Sequence, residues 1–139
     1  MDYPGVDIPS NVAWRKTTLY SICGWFTSAN FGDAATAFGG FFRLDEEDRT
    51  IEGCIVDTWG CAVIEGRLEN SQLVFNKRYV QFANIATTSD MIEYQYDSTE
   101  EGWSGSYSFN EGFSTGQTFC KIAPAVEDAF AMIVGLPRR

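Results

Sequence analysis

Histidine is absent from this 139-residue chain, which removes the side chain that enzymes most often use as a general acid or base. The Ser-His-Asp and Cys-His pairs of nucleophilic catalysis are excluded with it. A few enzymes work without histidine, so this absence does not exclude catalysis altogether. We therefore expect a protein that is not an enzyme, and we keep a histidine-independent enzyme as the alternative.

Cysteine is sparse and scattered, as Cys23, Cys54, Cys61 and Cys120, and no C-x-x-C motif is present. Without histidine these thiols could form only an all-sulfur zinc site, and zinc usually takes such ligands from paired turns rather than from strands. We predict no metal ion and no cofactor. Reduced thiols are the expectation, and a disulfide between Cys54 and Cys61 is the alternative.

Positive charge is also scarce, since 10 lysines and arginines face 19 aspartates and glutamates and leave a formal net charge of -9. Such a chain repels nucleic-acid phosphates and anionic lipid surfaces, so neither is expected as a partner. No apolar run of about 18 residues is present. The N-terminus has an acid and two prolines where an export signal has basic and apolar regions. We predict a cytoplasmic protein that does not bind membranes.

Aromatic residues make up 15% of the chain and occur in short runs of alternating side chains, which indicates an all-β fold. The clearest pattern lies in residues 51–80, where three such runs joined by two tight turns predict a β-meander. Together with further runs on both sides, it predicts an eight-stranded antiparallel up-and-down barrel. A half-open sheet or a sandwich is the alternative. The predicted strands cover residues 17–27, 41–45, 50–57, 60–69, 73–80, 91–97, 103–109 and 115–122.

The barrel is predicted as one domain over residues 14–123, preceded by an extended arm at residues 1–13 that contains two prolines. Residues 28–40 are small and nearly uncharged, which predicts a loop or a single helical turn over one mouth of the barrel. Pro124 is in a favourable position to begin a short helix. Residues 124–139 are therefore predicted as a C-terminal helix with a basic tail.

A two-residue loop at Thr58 and Trp59 would decide which faces of the flanking strands point outward. It would place Glu52 opposite Glu65, and two acids belong in water. The same outward face then carries an apolar, thiol-rich patch that needs a cover. We predict a homodimer formed through this patch or through the C-terminal helix. The patch, called the outer patch below, consists of Cys54, Val56, Cys61 and Val63.

Several sequence phrases resemble the repeated pattern of small calycin-type barrels, the group that contains lipocalins and avidins. They are IEGCIVDTWGCAVIEGRL, LVFNKRYV, MIEYQYD, and GWSGSYSF followed by STGQTFCKI. The resemblance spans residues 41–122 and implies a calycin-like barrel, without implying one function. The biotin-binding residues of avidins cannot be placed here, so biotin is not carried over. The lipocalin G-x-W motif is also missing, because Gly24 and Trp25 are adjacent.

Aromatic side chains on two neighbouring strands predict the wall of a pocket. Tyr94 and Tyr96 share one face of the sixth predicted strand, and Trp103, Tyr107 and Phe109 share one face of the seventh. Pointing inward, these rings would suit a flat, largely apolar or aromatic ligand held by a few hydrogen bonds. Ordinary packing inside the barrel is the alternative. The residues predicted to close the two ends of the barrel are Trp25 and Trp59.

Lys77 shares a strand face with Phe75 and Tyr79, so an inward Phe75 would bring the lysine inside as well. A lysine inside a barrel needs an acid or a ligand anion as its partner. It would then act as an anion-binding or Schiff-base lysine, and a lysine that reaches the barrel rim is the alternative. The candidate acids are Asp57, Glu93 and Asp97.

The sequence therefore predicts a non-enzymatic small β-barrel that binds a small, largely apolar ligand or serves as a protein-interaction module. A hollow barrel interior would favour ligand binding, whereas a filled interior would favour the protein-interaction module. The alternative is a cyclase or isomerase in which Lys77, Tyr79 or Glu93 moves a proton. No catalytic residue is assigned. The predicted ligand-binding residues are Trp25, Lys77, Tyr79, Tyr94, Tyr96, Trp103 and Tyr107.

Overall fold

The computed structural model describes residues 16–28, 34–110, 112 and 114–125, and these residues form eight strands. Each strand is antiparallel to its neighbours in chain order, and β1 also pairs with β8, which closes the sheet. The predicted all-β up-and-down barrel is therefore confirmed. The strands are β1 (Thr17–Phe26), β2 (Thr36–Asp45), β3 (Thr50–Asp57), β4 (Gly60–Glu69), β5 (Gln72–Phe82), β6 (Ile92–Ser98), β7 (Trp103–Phe109) and β8 (Ser114–Pro124).

Turns closed by side-chain acceptors explain why β3 and β4 have the predicted bounds. Between them the chain reverses at Thr58 and Trp59, and the carboxylate of Asp57 accepts a hydrogen bond from the Trp59 backbone N–H at 2.8 Å. Asp45 plays the same part at the end of β2, where its carboxylate accepts two backbone N–H groups at 3.0 Å. Aspartate favours turns because its side chain can replace a backbone partner in this way.

The prediction of a loop or helical turn across residues 28–40 is wrong for residues 36–40, which form the first half of β2. The small residues there serve close strand contact rather than mobility. A Cβ atom on Gly40 would overlap the backbone carbonyl oxygen of Cys54 on β3. Glycine inside a strand often marks such a close approach of two backbones.

The prediction that Pro124 begins a helix is wrong, because Pro124 is the last residue of β8 and pairs with Tyr20 of β1. Proline has no backbone N–H to donate to a neighbouring strand, and it is tolerated here because the strand ends at this residue. The rest of the predicted C-terminal helix, residues 126–139, lies outside the described residues. The predicted arm at residues 1–13 also lies outside them.

The register between β3 and β4 confirms which faces point inward and outward. Glu52 lies opposite Glu65, and both residues are exposed. On the same face Cys54 lies opposite Val63, and Cys61 lies diagonally from Cys54. Both cysteines are free thiols, so the disulfide alternative is wrong. The buried hydrophobic side chains of these two strands lie on the other face and are Ile51, Ile55, Ala62, Ile64 and Leu68.

The two ends of the barrel differ in how they are filled. At the closed end, marked by the β2–β3, β4–β5 and β6–β7 turns, large side chains fill the interior. There Tyr20 stacks on Phe42 with ring centroids 5.3 Å apart. Between the two ends, the hydroxyl groups of Tyr96 and Thr118 lie 2.8 Å apart, and Thr118 donates to the backbone oxygen of Trp25 at 2.9 Å. At the open end, marked by the other four connections between strands, a cavity remains.

Candidate functional site

The open end of the barrel contains a cavity of about 260 Å³, near the lower limit of the size range of small-molecule sites. Its lining comes from the ends of six strands and from the β1–β2, β3–β4 and β5–β6 connections. Small residues form part of the rim, and six of the 14 lining residues are aromatic. The lining rings are those of Phe26, Trp59, Tyr79, Tyr94, Tyr107 and Phe109.

Asp57 connects the β3–β4 turn to the barrel interior. One carboxylate oxygen accepts the Trp59 backbone N–H, which holds the turn that carries this ring to the cavity. The other oxygen, Oδ2, accepts hydrogen bonds from Lys77 Nζ at 2.8 Å and from Tyr79 Oη at 2.6 Å. The sequence named three candidate acids for Lys77, and the structure selects Asp57.

Lys77 is buried together with its partner, since 1% of its side chain and 0% of the Asp57 side chain are exposed. Its Nζ atom lies 4.8 Å from the ring centroids of Phe26 and Tyr79 and 5.4 Å from that of Tyr94. These distances fall within the range of cation–π attraction. Burial lowers the pKa of Lys77, and the Asp57 carboxylate opposes that shift. The ammonium group is thus held by a carboxylate and by rings.

Three tyrosines line the cavity, and two of them have acceptors for their hydroxyl hydrogens. Tyr79 donates to the buried carboxylate, and Tyr107 donates to the backbone oxygen of Thr27 at 2.6 Å. The oxygen of Tyr94 lies 3.5 Å from Lys77 Nζ. Because an ammonium group only donates, Tyr94 is the acceptor in that contact. Within the described part of the chain, no other hydrogen-bond partner of the Tyr94 hydroxyl is present.

The wall of the cavity stays uncharged at neutral pH. Burial raises the pKa of Tyr79, Tyr94 and Tyr107 above the ordinary value of tyrosine. The hydrogen bond to Asp57 raises the pKa of Tyr79 further, whereas a hydrogen bond with Ser28 opposes the shift of Tyr107. Since free tyrosine already titrates near pH 10, all three hydroxyl groups remain protonated. The cavity therefore offers rings and neutral hydroxyl groups to a ligand.

The structure brings several of the predicted ligand-binding residues together at the open end. Tyr79, Tyr94 and Tyr107 line the cavity. Lys77 does not line it but contacts Tyr79 and Tyr94, so it acts on the cavity through them. Trp59, which the sequence predicted to close one end, is part of the lining.

The other predicted ligand-binding residues lie elsewhere. Tyr96 is two residues beyond Tyr94 on β6 and is buried at the closed end, where Trp103 also packs against the core. Trp25 lies on the outer face, 38% exposed, and stacks on Phe119 at 6.2 Å. The side chains of a strand alternate between faces, so an inward Phe26 turns Trp25 outward. Trp25 therefore does not close an end of the barrel.

The sequence reasoning missed the loops and strand ends that complete the cavity. The β5–β6 connection contributes Thr87, whose hydroxyl donates to the backbone oxygen of Trp59 at 2.7 Å. Asn84 orders the start of this connection by accepting the Ala86 backbone N–H at 2.8 Å. An asparagine is a turn signal because its side chain can accept a backbone N–H two residues further on, so Asn84 could have indicated an ordered loop. Its position over the cavity depends on the barrel and is not visible in the sequence.

Among the described residues, no group of three or more histidine, cysteine, aspartate or glutamate side chains could hold a metal ion. No helix in the same part of the chain has the length and apolar character needed to cross a bilayer.

Comparisons with known proteins give no match. No family model matches the chain, and neither the curated proteins nor the solved structures include one that is significantly similar to it.

Proposed function

We propose that this protein binds a small, planar, largely apolar molecule in the cavity at the open end of its barrel. The observation that carries the proposal is the cavity of about 260 Å³ with a wall of aromatic rings. An unfilled space inside a protein costs stability, since the surrounding side chains lose contacts that packing would provide. A barrel with only a structural role would gain by filling this space, as the closed end does.

The chemistry of the wall supports a neutral, flat ligand. The rings of Tyr94 and Tyr107 are stacked on each other, with centroids 5.3 Å apart and planes inclined by 27°, so they form one continuous aromatic part of the wall. The hydroxyl groups are protonated, and the charge of Lys77 is balanced by Asp57. The net charge of -9 would also oppose the approach of an anion.

A calycin-like classification is part of this proposal. It is supported by the up-and-down order of the eight strands, by the pairing of β1 with β8 and by the sequence phrases described above. The enzyme alternative has less support. Lys77 does not line the cavity, and the hydroxyl hydrogen of Tyr79 is already donated to Asp57. The raised pKa values of the tyrosines keep them protonated at neutral pH, so none of them is available as a general base.

The proposal is tested by filling the cavity. Thr36 lies in its lining, whereas Ala37 is the next residue of β2 and is exposed on the outer face. Thr36→Phe and Ala37→Phe therefore add a ring to neighbouring positions on opposite faces. Binding of the neutral fluorescent probe N-phenyl-1-naphthylamine is measured for the wild type and both variants. Native mass spectrometry of protein from its own source then gives the mass of any natural ligand that co-purifies.

We expect saturable binding of one probe molecule by the wild type, weakening of about tenfold or more in Thr36→Phe, and wild-type affinity in Ala37→Phe. Circular dichroism and thermal melting establish that both variants are folded. Equal binding by the wild type and the folded Thr36→Phe variant would contradict the proposal, because the probe would then bind elsewhere. Failure of the wild type to bind the probe would also count against it.

A second candidate function, a protein-interaction module, has support from the outer patch. Val56 and Val63 are 56% and 37% exposed, and Val80 on the adjacent strand extends the patch with 45% exposure. Exposed apolar surface of this kind often marks a protein interface. We propose that a second copy of the chain covers it. In sedimentation analysis, Val63→Lys should convert a dimer into a monomer. Gln117→Lys, at an exposed position of β8, should leave the dimer intact. A wild type that sediments as a monomer would refute the dimer.

A further inference from the structure

The tyrosine hydroxyl groups around the cavity differ in whether their hydrogens are already donated to the protein. The hydroxyl hydrogens of Tyr79 and Tyr107 are already donated to protein oxygens, at 2.6 Å in both cases. Each of these groups can offer a ligand only an oxygen lone pair. Tyr94 differs, because it accepts from Lys77 and has no described acceptor for its own hydrogen.

The surroundings of Tyr94 direct this unused hydrogen towards the cavity. The residue is 2% exposed, so bulk water does not surround it. Phe75 covers its ring on one side, with centroids 5.1 Å apart, and Tyr107 stacks on it at 5.3 Å. Lys77 occupies a position next to its oxygen. The cavity, which Tyr94 lines, is the space left for an acceptor.

Lys77 also strengthens the hydrogen bond that Tyr94 can donate. The ammonium nitrogen lies 3.5 Å from the Tyr94 oxygen, and a donor that itself accepts from a cation becomes polarised. The site is buried, where an unmatched donor is costly and a matched one is correspondingly favoured. Asp57 balances the lysine charge, so a neutral acceptor suits the site better than an anion does.

We infer that the ligand is a planar aromatic ketone, or a related conjugated carbonyl compound, whose oxygen accepts a hydrogen bond from Tyr94. This inference rests on the proposed function, because it assigns the chemical class of the ligand of the same cavity. The aromatic rings that line the cavity surround the aromatic part of the ligand, and the carbonyl oxygen meets the one unused tyrosine donor.

The test uses two compounds of nearly the same shape. In 2-acetylnaphthalene the side group has a carbonyl oxygen, which 2-isopropenylnaphthalene replaces with a methylene group that cannot accept a hydrogen bond. Affinities of both are measured for the wild type, Tyr94→Phe and Tyr20→Phe. Tyr20 is the matched control, because it lies at the closed end and stacks on Phe42, away from the cavity. The carbonyl stretching frequency of carbon-13-labelled 2-acetylnaphthalene is recorded in each complex.

We expect the wild type and Tyr20→Phe to bind the ketone about tenfold more tightly than the hydrocarbon, and Tyr94→Phe to bind both with similar affinity. The carbonyl stretch should move to lower frequency in the wild type and return to higher frequency in Tyr94→Phe. If the wild type binds both compounds equally, or if Tyr94→Phe keeps the preference, the inference is overturned and the cavity still binds. If neither compound binds, the proposed function itself is overturned, and the inference with it.

Discussion

Replacing Asp57 with asparagine should destabilise the fold by about 3–5 kcal/mol at neutral pH, the usual cost of breaking a buried ion pair from one side. Asparagine would leave the ammonium group of Lys77 without a counter-charge at 1% exposure. The nearby rings of Phe26 and Tyr79 would retain part of its stabilisation. Lys77→Met should cost a similar amount, because it leaves the carboxylate buried without its cation.

The loss caused by Asp57→Asn should become smaller as the pH rises. Burial already lowers the pKa of Lys77, and the variant removes the carboxylate that opposes this shift, so the pKa falls further. Above that lowered value the unfolded chain binds more protons than the folded chain, and stability then rises with pH up to the ordinary pKa of lysine. We therefore expect the loss to be smaller at about pH 9 than at about pH 7.

Urea unfolding followed by tryptophan fluorescence measures both effects. The series contains the wild type, Asp57→Asn, Lys77→Met and the double variant, with Lys121→Met as a control for removing an exposed lysine. A pH of about 9 stays below the titration of tyrosine, so the difference between variants reports Lys77. The double variant should lose less stability than the sum of the single variants, because it leaves no unpaired charge.

Two results would refute this reasoning. Additive losses in the double variant would mean that Asp57 and Lys77 do not stabilise each other. A loss in Asp57→Asn that is the same at about pH 7 and pH 9 would mean that Lys77 does not remain as a buried, unpaired cation after the substitution.

Two further predictions concern packing and thiol chemistry. Gly40→Ala should destabilise the protein by about 3 kcal/mol or more in urea unfolding, because its new Cβ would overlap a backbone oxygen. Gly39→Ala is the control, since its Cβ would meet its nearest atom at 3.8 Å, and equal losses would contradict the explanation. In a thiol-reagent assay the exposed Cys23 and Cys54 should react in the folded state, whereas Cys120, whose pKa burial raises to about 12, should react only on unfolding. Rapid reaction of Cys120 in the folded protein would contradict its burial in the barrel interior.

The strands that the sequence predicted best are those with turn residues at both ends. Asp57 and Gly60 mark a two-residue loop, so the bounds of β3 and β4 and the outward direction of Glu52 follow from local chemistry. The first half of β2 was missed because its small residues have weak strand propensity. Contact with β3 near Gly40 holds them in the sheet, and that contact depends on the assembled barrel.

Part of the candidate site could also be predicted from the local sequence pattern. Strand alternation correctly placed Tyr94, Tyr107 and Lys77 inside, and burial explained why the lysine needs an acid. Alternation does not say how far along the barrel a side chain lies. Tyr96 and Tyr94 share a face, yet only Tyr94 reaches the cavity, and this difference depends on which end of the barrel is filled.

The protonated tyrosine hydroxyls have a consequence for the way a bound molecule would be released. Their raised pKa values keep the cavity wall neutral from about pH 5 to pH 9, and the chain has no histidine that would titrate in this range. Under the proposed function, mild acidification does not change the charge of the cavity wall and therefore does not release a bound ligand. Binding and release would instead depend on the free concentration of the ligand.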